Sequence, residues 1–248
     1  MTAYVCYGII PARFGSSRFP GKPLADILGK PMIVRVYERA RRCGALEDIV
    51  VATDSRRIAD VATANGIRAI MTRSDHASGS DRVLEAAEIL GLPDTAIVVN
   101  IQGDEPALQP VMLSEVLSPF ADPKTEVATL ATVMAREEVG NPDQVKVVVS
   151  AGGKAIYFSR SPIPYARDGQ HTVYYRHVGL YAFRLPALKR FVAMGPGRLE
   201  KTERLEQLRL LEAGIPIDVV TTESGSFGVD RPEDVDTVAK IITSQEME

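Results

Sequence analysis

The stretch PARFGSSRFPGKPL, Pro11 to Leu24, puts three cations, Arg13, Arg18 and Lys22, on a short loop with Gly15, Ser16, Ser17 and Gly21. Small residues let the backbone approach a ligand, and crowded guanidinium and ammonium groups repel one another unless an anion lies among them. A triphosphate would meet that demand. The outline comes close to a phosphate-cradling P-loop, but that loop needs four intervening residues and a hydroxyl residue after its lysine. Here five residues separate Gly15 from Gly21, and Pro23 follows Lys22 with neither hydroxyl nor amide hydrogen. The P-loop is excluded. So is the dinucleotide fingerprint, since the loop holds no Gly-x-Gly. On this loop alone an anion site and a solvated basic turn stand level.

The elements that must position the loop follow from periodicity. YVCYGII is short, apolar and rich in β-formers, and it predicts a buried strand ending at Pro11. Met32, Ile33, Val36, Tyr37 and Ala40 recur at helical spacing between Pro31 and Gly44. DIVVATD and RAIM read as strands, SRRIADVATANG and SGSDRVLEAAEILG as helices, and AIVVNIQGD as another long apolar strand. Alternation of this kind predicts a Rossmann-like α/β fold, a mainly parallel sheet with helices on both faces. The loop then leaves the carboxyl end of the first strand, where such sheets bind their ligands. After about Asp122 the rhythm changes. EVATLATVM, QVKVVVS, KAIYFS and RHVGLYAFR read as successive strands. LPALKRFVAM and KTERLEQLRLLEAG read as helices, IDVVTT as a strand, and a last helix begins at Pro232. The expected organisation is a nucleotide-binding half over 1–122, a smaller mixed α+β lobe over 123–222 and a return segment over 223–248.

Composition narrows the class. With 248 residues, 45% of them hydrophobic, the chain can bury a full core as one large domain or two joined lobes. A net charge of −3 argues against coating nucleic acid. No apolar run approaches the roughly 20 residues that cross a bilayer, and no secretion signal is expected at the start. Cys6 and Cys43 lie far apart in apolar surroundings, and they read as free thiols in a reducing cytoplasm.

IIPARFGSSRFPGKPL resembles the signature loop of the sugar nucleotidylyltransferases, in particular their cytidylyltransferase branch. TRSDHASGSDR, VVNIQGDEP, YFSRSPIPY, RHVGLYAFR, ERLEQLR and GVDRPED extend the likeness in order over nearly the whole chain. Together they are similar to the 3-deoxy-manno-octulosonate (KDO) cytidylyltransferases. That resemblance implies the nucleotide-diphospho-sugar transferase type of fold, a cytoplasmic homodimer and a role in lipopolysaccharide biosynthesis. It implies attack by the anomeric hydroxyl of KDO on the α-phosphorus of CTP, giving CMP-KDO and pyrophosphate. Such chemistry is mostly positioning and charge neutralisation, which calls for cations and Mg²⁺ rather than a covalent nucleophile.

By the same resemblance Arg13 and Lys22 bind the triphosphate and stabilise the leaving group, with Gly15, Ser16 and Arg18 lining the loop. Asp104 ends a buried strand in the QGDEP turn, and Mg²⁺ commonly takes one or two carboxylates. It is expected to hold the metal with Asp230. The alternative for Asp104 is a turn residue bonding its own backbone, which its place at the strand end and the motif together disfavour; without the resemblance, Asp230 would read as a helix cap. Arg73, His76, Ser78 and Gln102 are carried over as contacts to the cytosine. His76 also has an ordinary reading as a loop histidine. Arg160 is expected at the sugar carboxylate, and His177, Tyr181, Glu206 and Gln207 at its hydroxyls. Strand alternation puts His177, Gly179 and Tyr181 on one face, and Leu205, Leu208 and Leu211 form the packed stripe of the ERLEQLR helix. Ser80, Ala107 and Ala166 depart from the family pattern, which leaves fine substrate preference open to 8-amino-KDO. A cytidylyltransferase for another acidic sugar, such as a sialic acid, is the alternative within enzymes, and ERLEQLR and RHVGLYAFR argue against it. A CTP-binding protein without chemistry is the contrasting class, and it would need neither the paired carboxylates nor a sugar lobe.

Overall fold

The computed structural model describes residues 4–15, 19–167, 172–225 and 227–246. Ser16 and Arg18 lie outside the described residues. In chain order the first elements are β1 (Cys6–Ala12), β2 (Asp26–Ile27), β3 (Lys30–Pro31), α1 (Met32–Arg41), β4 (Asp48–Thr53) and α2 (Arg56–Ala64). Then come β5 (Ala69–Met71), α3 (Gly79–Ile89), β6 (Ile97–Asn100), α4 (Pro110–Leu117), β7 (Val127–Met134), β8 (Lys146–Val149) and β9 (Ala155–Ser159). The chain closes with β10 (Tyr174–Arg184), α5 (Leu185–Ala193), α6 (Arg198–Glu203), α7 (Leu208–Glu212), β11 (Asp218–Thr221) and α8 (Asp234–Gln245). Two compact units divide these elements: residues 1–114 with 225–248, and residues 115–224.

In the first unit β1 lies between β4 and β6, parallel to both, and β5 continues the sheet beyond β4. Every residue of β6 is buried, as the unbroken IVVN run demands. Met32, Ile33, Val36 and Ala40 form the buried stripe of α1, as the spacing predicts. α3 starts with a capping box, in which Ser78 Oγ accepts from the Asp81 N–H and Asp81 Oδ2 accepts from the Ser78 N–H. The final helix begins at Asp234, not Pro232, because Asp234 Oδ2 accepts the N–H groups of Asp230 and Arg231 at 2.8 Å each.

The second unit is mixed. β7 and β10 run antiparallel, β11 pairs parallel with β7, and β8 joins β10 to β9, both contacts antiparallel. The pairing of β10 with β7 slips at a bulge between Val178 and Tyr181. The single helix expected over KTERLEQLRLLEAG is two, α6 and α7, because Arg204 takes the left-handed conformation at φ 57°. The break also rotates the leucine pattern: Leu205, Leu208 and Leu210 are buried, and Leu211 is only partly so. α4 was not read from the sequence.

One close approach fixes the sheet edge that matters most. A Cβ on Gly103 would stand 2.7 Å from the carbonyl oxygen of Pro11, so the turn after β6 presses directly on the end of β1. Only glycine fits there without moving backbone. Gly103→Ala should lower stability by about 1–3 kcal/mol, read as a drop in urea midpoint at constant slope. An unchanged midpoint would contradict the close contact.

Candidate active site

Within the first unit, the chain returns to one place from distant positions. Lys22 opens a short 3-10 turn behind Gly21, whose φ of 74° suits glycine. The Gly21 N–H donates to the Phe14 carbonyl at 3.0 Å, closing the loop on itself. Lys22 Nζ donates to Asp104 Oδ2 at 2.6 Å and to the Val229 carbonyl at 2.8 Å, and it lies 3.8 Å from Asp230 Oδ1. The Val229 N–H donates in turn to the Asp104 carbonyl at 2.9 Å. That backbone bond holds the two carboxylate-bearing segments side by side.

An apolar cluster fixes the arrangement from below. Ile27, Met32, Ala107, Val229, Val238 and Ile242 are buried together, with Phe19, Phe227 and Val235 packed against them. These side chains flank Lys22, Asp104 and Asp230 in sequence, so burying them delivers the three charges to one spot. Ala107 is part of that floor. The lysine side chain is mostly buried, at 15% exposure, while those of Asp104 and Asp230 are 35% and 58% exposed. Asp234 ties the turn before α8, so the cap reading of Asp230 gives way to a carboxylate turned toward the ammonium. Arg13 and Gly15 are exposed on the same loop.

The segment before α3 is built from side chains that bind one another. His76 Nε2 shares a short hydrogen bond with Glu85 Oε2, which also accepts the Arg73 N–H at 2.9 Å. Burial alone would raise the Glu85 carboxyl, but the bonds from His76 and Arg73 outweigh it and hold the group below the usual carboxylate range. The buried Arg82 donates to Thr72 Oγ1 at 2.6 Å, to the Arg73 carbonyl at 3.2 Å and to Asp54 Oδ2 at 3.1 Å. His76 and Ser78, expected at a base edge, therefore spend side-chain contacts on Glu85 and on the helix cap. Gln102 is half-buried in the turn before Asp104, and the Arg73 side chain is exposed.

The second unit gathers the remaining polar candidates. The His177 and Tyr181 rings lie 5.3 Å apart, so the two residues share a face across the bulge. His177 Nε2 sits 3.0 Å from Thr129 Oγ1, and that hydroxyl lies 3.1 and 2.9 Å from the carbonyls of Val178 and Leu180. Burial pushes the imidazole down to about 3, so it is neutral at physiological pH. The Tyr181 hydroxyl is buried and meets no partner in good hydrogen-bond geometry among the described residues; burial raises its pKa well above the ordinary value, and the neighbouring Thr129 hydroxyl offsets this only in part. The two rings pack against each other at a tilt of 52°. Glu206 is exposed and Gln207 buried, just past the left-handed Arg204.

Three residues that sequence reasoning passed over hold that region together. Arg209 binds both oxygens of Glu200 at 2.8 and 2.7 Å, donates to the carbonyls of Phe191 and Met194, and lies 4.7 Å from the Phe191 ring centroid. Burial would raise Glu200, but Arg209 and the Gly197 N–H draw it below the usual range. Lys146 is fully buried in β8. A lysine inside the apolar run VKVVV was the one available signal.

A family model described as Cytidylyltransferase matches residues 7–219. The chain belongs to the cytidylyltransferase family. A 3-deoxy-manno-octulosonate cytidylyltransferase of Nitratidesulfovibrio vulgaris (strain Hildenborough) is 57% identical over 241 residues, 96% of each chain. Its counterpart in Oleidesulfovibrio alaskensis is 57% identical over 248 residues, covering 99% of this cytidylyltransferase and all of the relative. Among solved structures, a CMP:2-keto-3-deoxy-manno-octonic acid synthetase complexed with CTP superposes with a TM-score of 0.92 at 42% identity, over 97% of this chain and 99% of its own. The same α/β fold is thus present from end to end.

The neutral, buried imidazole of this cytidylyltransferase has a measurable consequence. The folded His177 resists protonation until about pH 3, whereas the unfolded residue takes a proton near 6.5. Its contribution is complete above 6.5 and is lost as pH falls toward 3, at up to about 1.4 kcal/mol per pH unit. His177→Gln should flatten the acid limb of a stability profile from chemical denaturation. Identical slopes in the two proteins would contradict the assignment.

Proposed function

We propose that this cytidylyltransferase activates KDO with CTP, releasing CMP-KDO and pyrophosphate. The observation that carries the proposal is the convergence of Asp104 and Asp230 on the Lys22 ammonium, at the carboxyl end of the parallel sheet. Its relatives by name act on 3-deoxy-manno-octulosonate.

Two carboxylates that approach one ammonium supply the hard oxygen donors a divalent cation takes, and Mg²⁺ fills its remaining positions with water and phosphate oxygens. Asp104 and Asp230 would hold it. When bound, the ion supplies charge neutralisation at the α-phosphate and lowers the pKa of the attacking hydroxyl. Lys22 would turn from the carboxylates to the phosphates, and Arg13, with Gly15, Ser16 and Arg18 of its loop, would complete the anion site. Both cations stabilise the negative charge that gathers on departing pyrophosphate. The segment locked by Glu85 and Arg82 gives the base a rigid wall, with Arg73 and Gln102 available to its edge; His76 and Ser78 support that wall. In the second unit Arg160 takes the sugar carboxylate, and Tyr181, His177, Glu206 and Gln207 take its hydroxyls. A buried, unpartnered hydroxyl such as that of Tyr181 gains most from a ligand that can bond it.

The enzyme works as a cytoplasmic homodimer in this reading. Exposed Val133, Ile156 and Val173 of the second unit support a partner copy, and the free thiols of Cys6 and Cys43 suit a reducing compartment.

Pyrophosphate release should occur with CTP, Mg²⁺ and KDO. Asp104→Ala and Asp230→Ala should each abolish turnover while CTP binding partly survives, and Lys22→Ala should cost about 10²–10³-fold in kcat. Turnover with a sialic acid alone, or unchanged rates in the aspartate variants, would overturn the proposal.

A further inference from the structure

Arg160, just beyond β9, is held at every point but one. Its N–H donates to Glu203 Oε2 at 3.0 Å, its Nε to the Glu203 carbonyl at 2.9 Å and its Nη1 to the Pro142 carbonyl at 2.9 Å. Its own carbonyl accepts from Lys146 Nζ. The second Glu203 oxygen, Oε1, accepts from Ser159 Oγ at 2.6 Å, and Ser159 Oγ in turn accepts the Ser161 N–H at 3.0 Å. Among the described residues, Nη2 makes no hydrogen bond.

Lys146 raises its own question. Its side chain is fully buried, and its hydrogen bonds run to the carbonyls of Asn141 and Arg160, not to a carboxylate. A buried ammonium is expensive, and an aliphatic residue would suit an apolar strand better. Its two bonds have a common effect. One fixes the backbone of Arg160. The other fixes Asn141, next to the Pro142 carbonyl that receives Arg160 Nη1. Lys146 thus sets both the origin of the arginine side chain and an acceptor for its tip, while Glu203 sets the rest.

We propose that Lys146 and Glu203 are positioning residues for Arg160, fixing the guanidinium so that Nη2 presents its two N–H groups to the carboxylate of the acidic sugar. The proposal rests on the reading of Arg160 as the carboxylate partner. An unrestrained arginine loses rotamer freedom when it binds, and prior fixation removes that cost from sugar affinity.

Steady-state kinetics with CTP and KDO test it in Glu203→Gln, Lys146→Met, Arg160→Ala and the Arg160→Ala/Glu203→Gln pair. Glu203→Gln and Lys146→Met should each raise the KM for the sugar roughly ten- to thirtyfold, the equivalent of an arginine's rotamer entropy. The kcat and the KM for CTP should stay within about twofold, because the nucleotide contacts are untouched. In the Arg160→Ala background Glu203→Gln should add nothing, which a general loss of packing would not reproduce. Thermal midpoints identify variants that fail to fold; if Lys146→Met is one, the Glu203 cycle decides alone. Additive effects of Arg160→Ala and Glu203→Gln, or a wild-type sugar KM in Glu203→Gln, would overturn the positioning role while leaving Arg160 at the carboxylate. A wild-type sugar KM in Arg160→Ala would overturn the reading of Arg160 and this proposal with it.

Discussion

A single backbone hydrogen bond, from the Val229 N–H to the Asp104 carbonyl, joins two segments separated by half the chain. It would be weak in isolation, since an exposed amide bond contributes only about 1 kcal/mol net. Here it lies over the apolar floor of Ile27, Met32, Ala107, Val229, Val238 and Ile242, which excludes water and makes the approach cooperative. Once Val229 is buried, Asp230 has nowhere to go but the rim, and Lys22 reaches both aspartates from its own anchored turn. The charges are thus positioned by apolar packing beneath them.

The same economy recurs elsewhere. Arg82 orders the loop before α3, Arg209 the break between α6 and α7, and Lys146 the approach to Arg160. Each is a buried cation that binds backbone carbonyls as well as, or in place of, carboxylates. A salt bridge alone returns little against desolvation. Several carbonyls shared by one cation do something a hydrophobic residue cannot, which is to fix irregular backbone where ligands would bind.

Much of the fold was legible because its signals are local. Alternating apolar strands and amphipathic helices located β1, α1, β4, α2, α3 and β6, and the strand-end loop followed from them. Asp104 and Asp230 could be paired from motifs, but their meeting at Lys22 depends on burial over long separations that no local pattern encodes. The break at Arg204 was invisible for a related reason. KTERLEQLRLLEAG has strong helix propensity throughout, and tertiary bonds from Arg209 to Glu200, Phe191 and Met194 override it. The motif alone offers His76 and Ser78 as base contacts, and their bonds to Glu85 and to the Asp81 N–H belong to the folded segment around it.

Packing of the return segment would bring Asp104 and Asp230 to one divalent cation. Electron paramagnetic resonance of Mn²⁺ titrated into the protein with CTP tests it directly, in the wild type, Asp104→Asn, Asp230→Asn and the double variant. Binding should be tight in the wild type and weakened by each single change, with the double variant far less impaired than the product of the singles. Wild-type Mn²⁺ affinity in either single variant, or fully multiplicative losses, would contradict it.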